Sequence, residues 1–217
     1  MALQTQADLV ASVANWLNRS NLNARIPDWI QLTEARVAYG SLDPQLPSEP
    51  LRIRAMETVD TTLSITGQNV TLPTGFLSQR VMYLTSTNPI AEVDFITPDV
   101  FWRNWTSTDT GQPSQYTIQG ENLVFGPIPD TTYTSTFVYY QKFSPLVNSS
   151  DTNWLSINAF NAYLWGVMTE AYAFIRNMDQ AIAMNARFAG VINSLNNANK
   201  SDRYSGPWTA RVDTGNP

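Results

Sequence analysis

Histidine and cysteine are both absent from the 217 residues. Without cysteine there is no disulfide framework, no thiolate nucleophile and no cysteine-based zinc site. Without histidine the chain lacks the commonest metal ligand and the side chain that titrates nearest neutral pH. Lysine occurs only at Lys142 and Lys200, and charged residues of all kinds make up 14%. The polar surface therefore falls to Asn, Gln, Ser and Thr, which suits burial against protein neighbours, where charge is depleted. The net charge of -5 divides into -2 over residues 1–50 (five acids, three bases), -3 over 51–150 (eight acids, five bases) and zero over 151–217 (five of each). No segment is basic, so binding nucleic acid by counterion release has no footprint here.

Long hydrophobic runs are missing too. The longest, Ala162 to Met168, is far short of a membrane span. The opening MALQTQADLV has neither a basic n-region nor an apolar h-region, so no secretory leader is expected. The Asn-x-Ser/Thr sequons at Asn18, Asn69, Asn104, Asn148 and Asn199 follow from a composition rich in those residues, and no glycosylation is expected.

What is present is periodicity. Leu9, Val13, Trp16 and Leu17 lie on one face of a predicted helix over 5–18, with Thr5 and Asp8 as a capping pair. A second helix is predicted over 27–39, from Pro27 in its first turn to Gly40 just past its end. The segment SLDPQLPSEP then excludes regular structure. From Leu51 the period becomes two: RIRAMETVDTTLSI, NVTL, FLSQRVMYL and IAEVDFI read as strands, and TPDVFWRNW as a short helix capped by Thr97. YTIQGENLVFG reads as a hairpin turning at Gly120–Asn122, and Tyr133–Lys142 as a third strand completing a meander. After Asp151 the helical period returns in two seams: Phe160, Leu164, Val167, Ala171, Phe174, and then Ala181, Met184, Phe188, Val191, Leu195. Tyr163, Met168, Tyr172 and Ile175 widen the first seam, so that helix should be nearly surrounded. Trp16, Trp29, Trp154 and Trp165 are expected in the core or between helices.

The fold class is therefore α+β: terminal helices forming a helical bundle (1–50 and 151–200), an inserted antiparallel β-rich region (51–150), and an extended C-terminal tail (201–217). The tail should not fold alone. It carries Arg203, Tyr204, Trp208 and Arg211, the residue types that anchor interfaces, and these four are the expected partner-binding residues.

Catalysis has thin support. Glu92, Asp94 and Asp99 near Trp102 and Trp105 are the best glycosidase candidates, a carboxylate pair beside stacking indoles. Glu92 and Asp94, however, fall on the solvated face of a strand, opposite Val93 and Phe95. The same residues could bind a sugar without cleaving it. Glu121 and Asp130 could contribute oxygens to a calcium site, but no EF-hand-like loop exists. GENLVFG precedes a strand rather than a helix and is no phosphate loop. No cofactor, no metal and no enzyme activity are expected.

In this order and spacing, IPDWIQLTEARV, LRIRAMET, LPTGFLSQRVMYL, ITPDVFWRNW, YTIQGENLVFGPIPD, FVYYQKFSPL and AYLWGVMTEAYAF resemble the head-to-tail adaptor (connector) proteins of short-tailed phages, the tail tubular protein A-like group. The resemblance runs from about residue 5 to 205. It implies a structural virion protein with a helical bundle and a β-rich insertion, assembled in the host cytoplasm. It implies a homo-oligomeric ring, usually of twelve copies, between the portal and the tail nozzle, with tail fibres as possible further partners. The ring would extend the channel through which DNA passes without specific binding, and the C-terminal segment would reach the portal. The proline-rich loop 41–50 departs from relatives whose second helix runs more directly into the first strand. The other function classes are a virion carbohydrate-binding module, recognised by Trp102 and Trp105, and a more distal tail-completion protein.

Overall fold

A computed structural model describes residues 3–106 and 108–203. In chain order the elements are α1 (Gln6–Leu17), α2 (Ile26–Tyr39), β1 (Glu57–Ile65), β2 (Asn69–Thr71), β3 (Phe76–Leu84), β4 (Ala91–Glu92), β5 (Asp94–Phe95), α3 (Pro98–Asn104), β6 (Thr110–Gly111), β7 (Gln115–Gln119), β8 (Asn122–Gly126), β9 (Ile128–Pro129), β10 (Tyr133–Gln141), α4 (Trp154–Asn158), α5 (Phe160–Phe174) and α6 (Met178–Arg203), with 3₁₀ turns at Ser20–Arg25 and Arg54–Met56. The protein is mixed α+β. It divides into two compact units, Met1–Arg54 with Pro145–Pro217, and Ala55–Ser144.

In the helical unit, α1 starts on the capping pair expected from sequence. The Asp8 amide donates to Thr5 Oγ1 at 3.1 Å, and the Thr5 amide donates to Asp8 Oδ2 at 3.0 Å. The backbone and hydroxyl donors of Thr5 hold the Asp8 carboxyl below the ordinary aspartate value. A depressed carboxyl stabilises the fold above the unfolded-state value, and that contribution is lost as pH falls through the folded value. Helix α2 ends on Gly40 at φ 77°, where a Cβ would sit 2.7 Å from the Ser48 carbonyl oxygen.

Helix α5 packs against α1, α2, α4 and α6. Its buried residues, Ala162, Tyr163, Gly166, Val167, Met168, Thr169 and Ala171, cover more than one face. Of the expected seam Val167, Ala171, Tyr163 and Met168 are among them, whereas Phe160, Leu164, Tyr172 and Ile175 are half-buried and Phe174 at the end of the helix is exposed. Helix α4 forms a separate short element, started by Asn153, whose side chain accepts from the Ser156 amide at 2.9 Å.

The seam of α6 differs from the expected one. Its buried face is Ala181, Met184, Asn185, Phe188, Ile192 and Asn196, while Val191 and Leu195 are half-buried. Past Phe188 the chain offers steps of both three and four residues. The step of four wins because it carries Asn196 onto backbone groups of the segment after the proline loop. Helix α6 also runs through Arg203, so the extended tail expected from residue 201 does not begin there. NNANKSDR contains neither glycine nor proline to stop a helix.

In the β-rich unit two four-stranded sheets, ordered β1-β10-β3-β4 and β2-β8-β7-β5, share a core of Ile65, Met82, Leu84, Val93, Tyr116, Leu123, Phe125, Phe137 and Tyr139. The β7–β8 hairpin forms as expected, with Gln119 opposite Asn122 and Gly120 at φ 59°. The meander does not. Strand β10 leaves β8 and enters the other sheet between β1 and β3. Pro127 and Pro129 each lack an amide hydrogen and end β8's pairing. The nine residues of β10 then match the nine-residue β1 and β3 better than the five-residue β8. Not every pair is antiparallel: β5–β7 and β6–β9 are parallel. The connections between them, through α3 and through the hairpin, are long enough for crossovers.

Candidate functional site

The carboxylates singled out from sequence do not form a catalytic pair. Glu92 on β4 and Asp94 on β5 are exposed on either side of the buried Val93. Asp99, in the first turn of α3, accepts from the Thr97 hydroxyl at 2.6 Å and lies 3.8 Å from Arg103; the hydroxyl donor holds its carboxyl below the usual range. The two indoles have different duties. The Trp105 N–H donates to Gln115 Oε1 at 2.9 Å, and its ring lies against Gly126, where a Cβ would come within 2.5 Å of it. Trp105 is thus a packing residue, whereas Trp102 is 49% exposed and meets Phe101 edge-on. Asp130 accepts from the Tyr133 hydroxyl at 2.7 Å, and Glu121 is exposed at the hairpin turn. Among the described residues no group of three or more acidic side chains could hold a metal ion, and no helix is long and apolar enough to cross a membrane.

The helical unit holds the more organised polar chemistry, and it is used for positioning. Arg36, in the last turn of α2, donates to Glu170 on α5 at 2.9 Å, to the Leu46 carbonyl at 2.8 Å and to Asn185 on α6, and its guanidinium lies 5.3 Å from the Phe188 ring centroid. Asn185 passes the link on to the Pro47 carbonyl at 3.0 Å. Farther along α6, Asn196 accepts from the Arg52 amide at 2.9 Å and donates to the Pro50 carbonyl at 3.1 Å. Asn199 repeats the pattern with the Arg54 amide and the Arg52 carbonyl. These side-chain amides pair with the chain as a neighbouring strand would. Residues 47–54 thereby satisfy backbone groups that no sheet supplies. The proline loop lacks regular structure, as expected, but Ser41 and Ser48 bridge its base and Leu46 is buried beneath it.

A second network receives the chain as it re-enters this unit. Glu34 accepts from the Leu146 amide at 2.8 Å and the Tyr163 hydroxyl at 3.2 Å, and Asn153 donates to that hydroxyl at 2.8 Å. Burial raises the Glu34 carboxyl above the ordinary glutamate value, against the pull of its two donors. A raised carboxyl binds its proton more tightly folded than unfolded, so stability falls as pH rises from the ordinary value through the folded one. Relative to the wild type, Glu34→Gln is expected to gain stability steadily across that window in urea denaturation. A gap independent of pH would remove the assignment.

The tryptophans follow the expectation in part: Trp29 is buried and Trp16 meets Trp165 between α1 and α5, whereas Trp154 is exposed. Trp16 is 51% exposed and Trp165 is half-buried. Trp16 meets Trp165 edge-on at 5.2 Å, and the Arg187 guanidinium covers Trp165 at 4.9 Å. Beside them lies a groove of about 500 Å³ between the α4–α5 junction and the middle of α6, with Trp165, Arg187, Gly190, Val191 and Leu195 among its walls. A smaller groove of about 340 Å³ separates Leu32, Tyr39 and Glu170 from the proline loop. Leu42 at the tip of that loop is 100% exposed.

Of the expected partner-binding residues, Arg203 is the last of α6, and Tyr204, Trp208 and Arg211 lie outside the described residues. The asparagine clamp escaped sequence reasoning, although Asn185 and Asn196, polar residues inside an apolar helical seam, are a readable signal. No curated protein matches the sequence. The family model for the SU10 adaptor protein matches residues 4–211, and the chain belongs to that family of phage structural adaptor proteins.

Proposed function

We propose that this phage adaptor, a virion component, assembles as a ring between the portal and the tail nozzle and extends the DNA channel. The family membership carries this reading. Three properties of the chain support it. The helical unit exposes Trp16, Leu32, Leu42, Phe174 and Ile182, apolar side chains available to a neighbouring copy. Charge is sparse, as in the cores of subunit interfaces. The net charge of -5 opposes any grip on passing phosphates. In this reading α1, α2, α5 and α6 act as a bundle forming ring contacts, and the β-rich unit is a rigid module offered to the nozzle or tail fibres.

Native mass of the full chain, alone and mixed with its cognate portal ring, tests the proposal. A shift to portal plus about a dozen copies is expected. A chain that stays at about 24 kDa beside an unchanged portal overturns it.

The C-terminal segment, with Arg203, Tyr204, Trp208 and Arg211, is the proposed portal anchor. Deleting residues 204–217 keeps α6 through Arg203 and removes Tyr204, Trp208 and Arg211. The truncated protein is expected to stay folded by circular dichroism and to lose portal binding. Unchanged binding by that truncation removes Tyr204, Trp208 and Arg211 from the anchor.

A further inference from the structure

We infer that the tip of the proline loop, Leu42 with Asp43, inserts into the groove walled by Trp165, Arg187, Gly190, Val191 and Leu195 on the next copy of the chain. This rests on the ring reading and names its contact.

The loop is built as a knob. Its base is closed by the Ser41 and Ser48 amides, each donating to the other's carbonyl, at 2.8 and 3.2 Å. Leu46 is buried, and Arg36 and Asn185 hold the Leu46 and Pro47 carbonyls. The loop is therefore fixed in advance, and little entropy is lost when it docks. Yet its tip presents a completely exposed leucine beside an exposed carboxylate. Asp43 accepts from the Gln45 amide, and no cation faces it among the described residues.

The groove is the complement. Its walls carry Arg187 and no carboxylate. Arg187 covers the Trp165 ring and has no acidic partner among the described residues. Gly190 is an independent sign. It is an exposed glycine in the middle of α6, and a Cβ there would meet nothing within 4 Å. Glycine costs stability inside a helix, and nothing among the described residues requires one at 190. Gly166 differs, since Thr33 occupies the space its Cβ would take. A glycine open to solvent at the wall of a groove admits the close approach of another chain.

The two surfaces cannot meet within one copy. Asn185 holds the loop on one face of α6, and Arg187 stands two residues on, about 200° around the helix. Knob and groove on different faces make a head-to-tail contact, the kind that closes into a ring when the rotation per copy permits.

The absence of native cysteine makes the test clean. The full-length double variant Leu42→Cys with Leu195→Cys, assembled on the portal ring and treated with a short bis-maleimide, is expected to give a ladder of covalent multimers on a denaturing gel; each single variant is expected to give none. Asp43→Arg and Arg187→Glu, each alone, should cut assembly at least tenfold, and the pair together should restore it. Multi-copy assembly by native mass with no ladder and no effect of either charge reversal overturns the contact while leaving the ring standing. Absence of any multi-copy assembly in the wild type overturns both.

Discussion

Arg36→Ala is expected to lower the unfolding free energy by about 3 kcal/mol, at the lower end of the cost of removing one partner from a buried ion pair. The Arg36 side chain is 9% exposed and that of Glu170 19%, so Glu170 recovers only part of its hydration when its partner goes. The Leu46 carbonyl and Asn185 Oδ1 each lose a donor at the same time. Arg36→Lys should recover little, because one ammonium cannot span acceptors on α5, α6 and the loop as a planar fork does. The change should also loosen the proline loop, seen as faster amide hydrogen exchange at Ser41 and Ser48. A loss under about 1 kcal/mol would place this pair among ordinary surface bridges. Because the loop carries the proposed knob, Arg36→Ala should weaken ring assembly as well, although Arg36 is not part of the proposed contact.

Gly166→Val is the second large effect, with an expected loss of about 3 kcal/mol from overpacking. A Cβ at 166 would come nearer than 3.0 Å to Thr33 Cγ2 and 3.2 Å from Phe188 Cδ2. Thr33 is fully buried, and its hydroxyl donates to the Trp29 carbonyl at 2.8 Å, so it has no rotamer to retreat into. Helices α2 and α5 must then separate. Gly166→Ala alone should cost less but still destabilise. Thr33→Ser removes the offending methyl while keeping the hydroxyl, and is expected to recover much of that loss. Additive losses in the Gly166→Ala, Thr33→Ser double variant would mean that the helices do not meet here.

These cases show what was legible in the sequence. Capping and stop signals were readable because they act over three or four residues: Thr5 with Asp8, Pro27 in a first turn, and Gly40 past an end all stand where they were expected. The β7–β8 hairpin was readable for the same reason. The partner of β10 was not, since a strand's own residues state that it pairs but not with which of several strands. The site was less legible than the fold. Glu92, Asp94 and the two indoles looked like chemistry because they are near in sequence, but the fold uses Trp105 to cover Gly126 and leaves the carboxylates in solvent. The four expected interface residues at the C-terminus rest on sequence reasoning alone.

By itself the sequence determined the kind of chain this is. It lacks histidine and cysteine chemistry, it has little charge, and its period changes from helical to strand and back. Each of these is composition or a local repeat, and local geometry follows from backbone sterics and neighbouring side chains. Only the tertiary structure decided which glycine is a close approach and which an open wall, and why asparagines interrupt the seam of α6. Gly166 and Gly190 are alike in helical context and differ only in what lies opposite. Arg36 meets Glu170 across 134 positions and Asn185 across 149. Contacts at such separations depend on how whole elements pack, and no periodicity in a single segment encodes them.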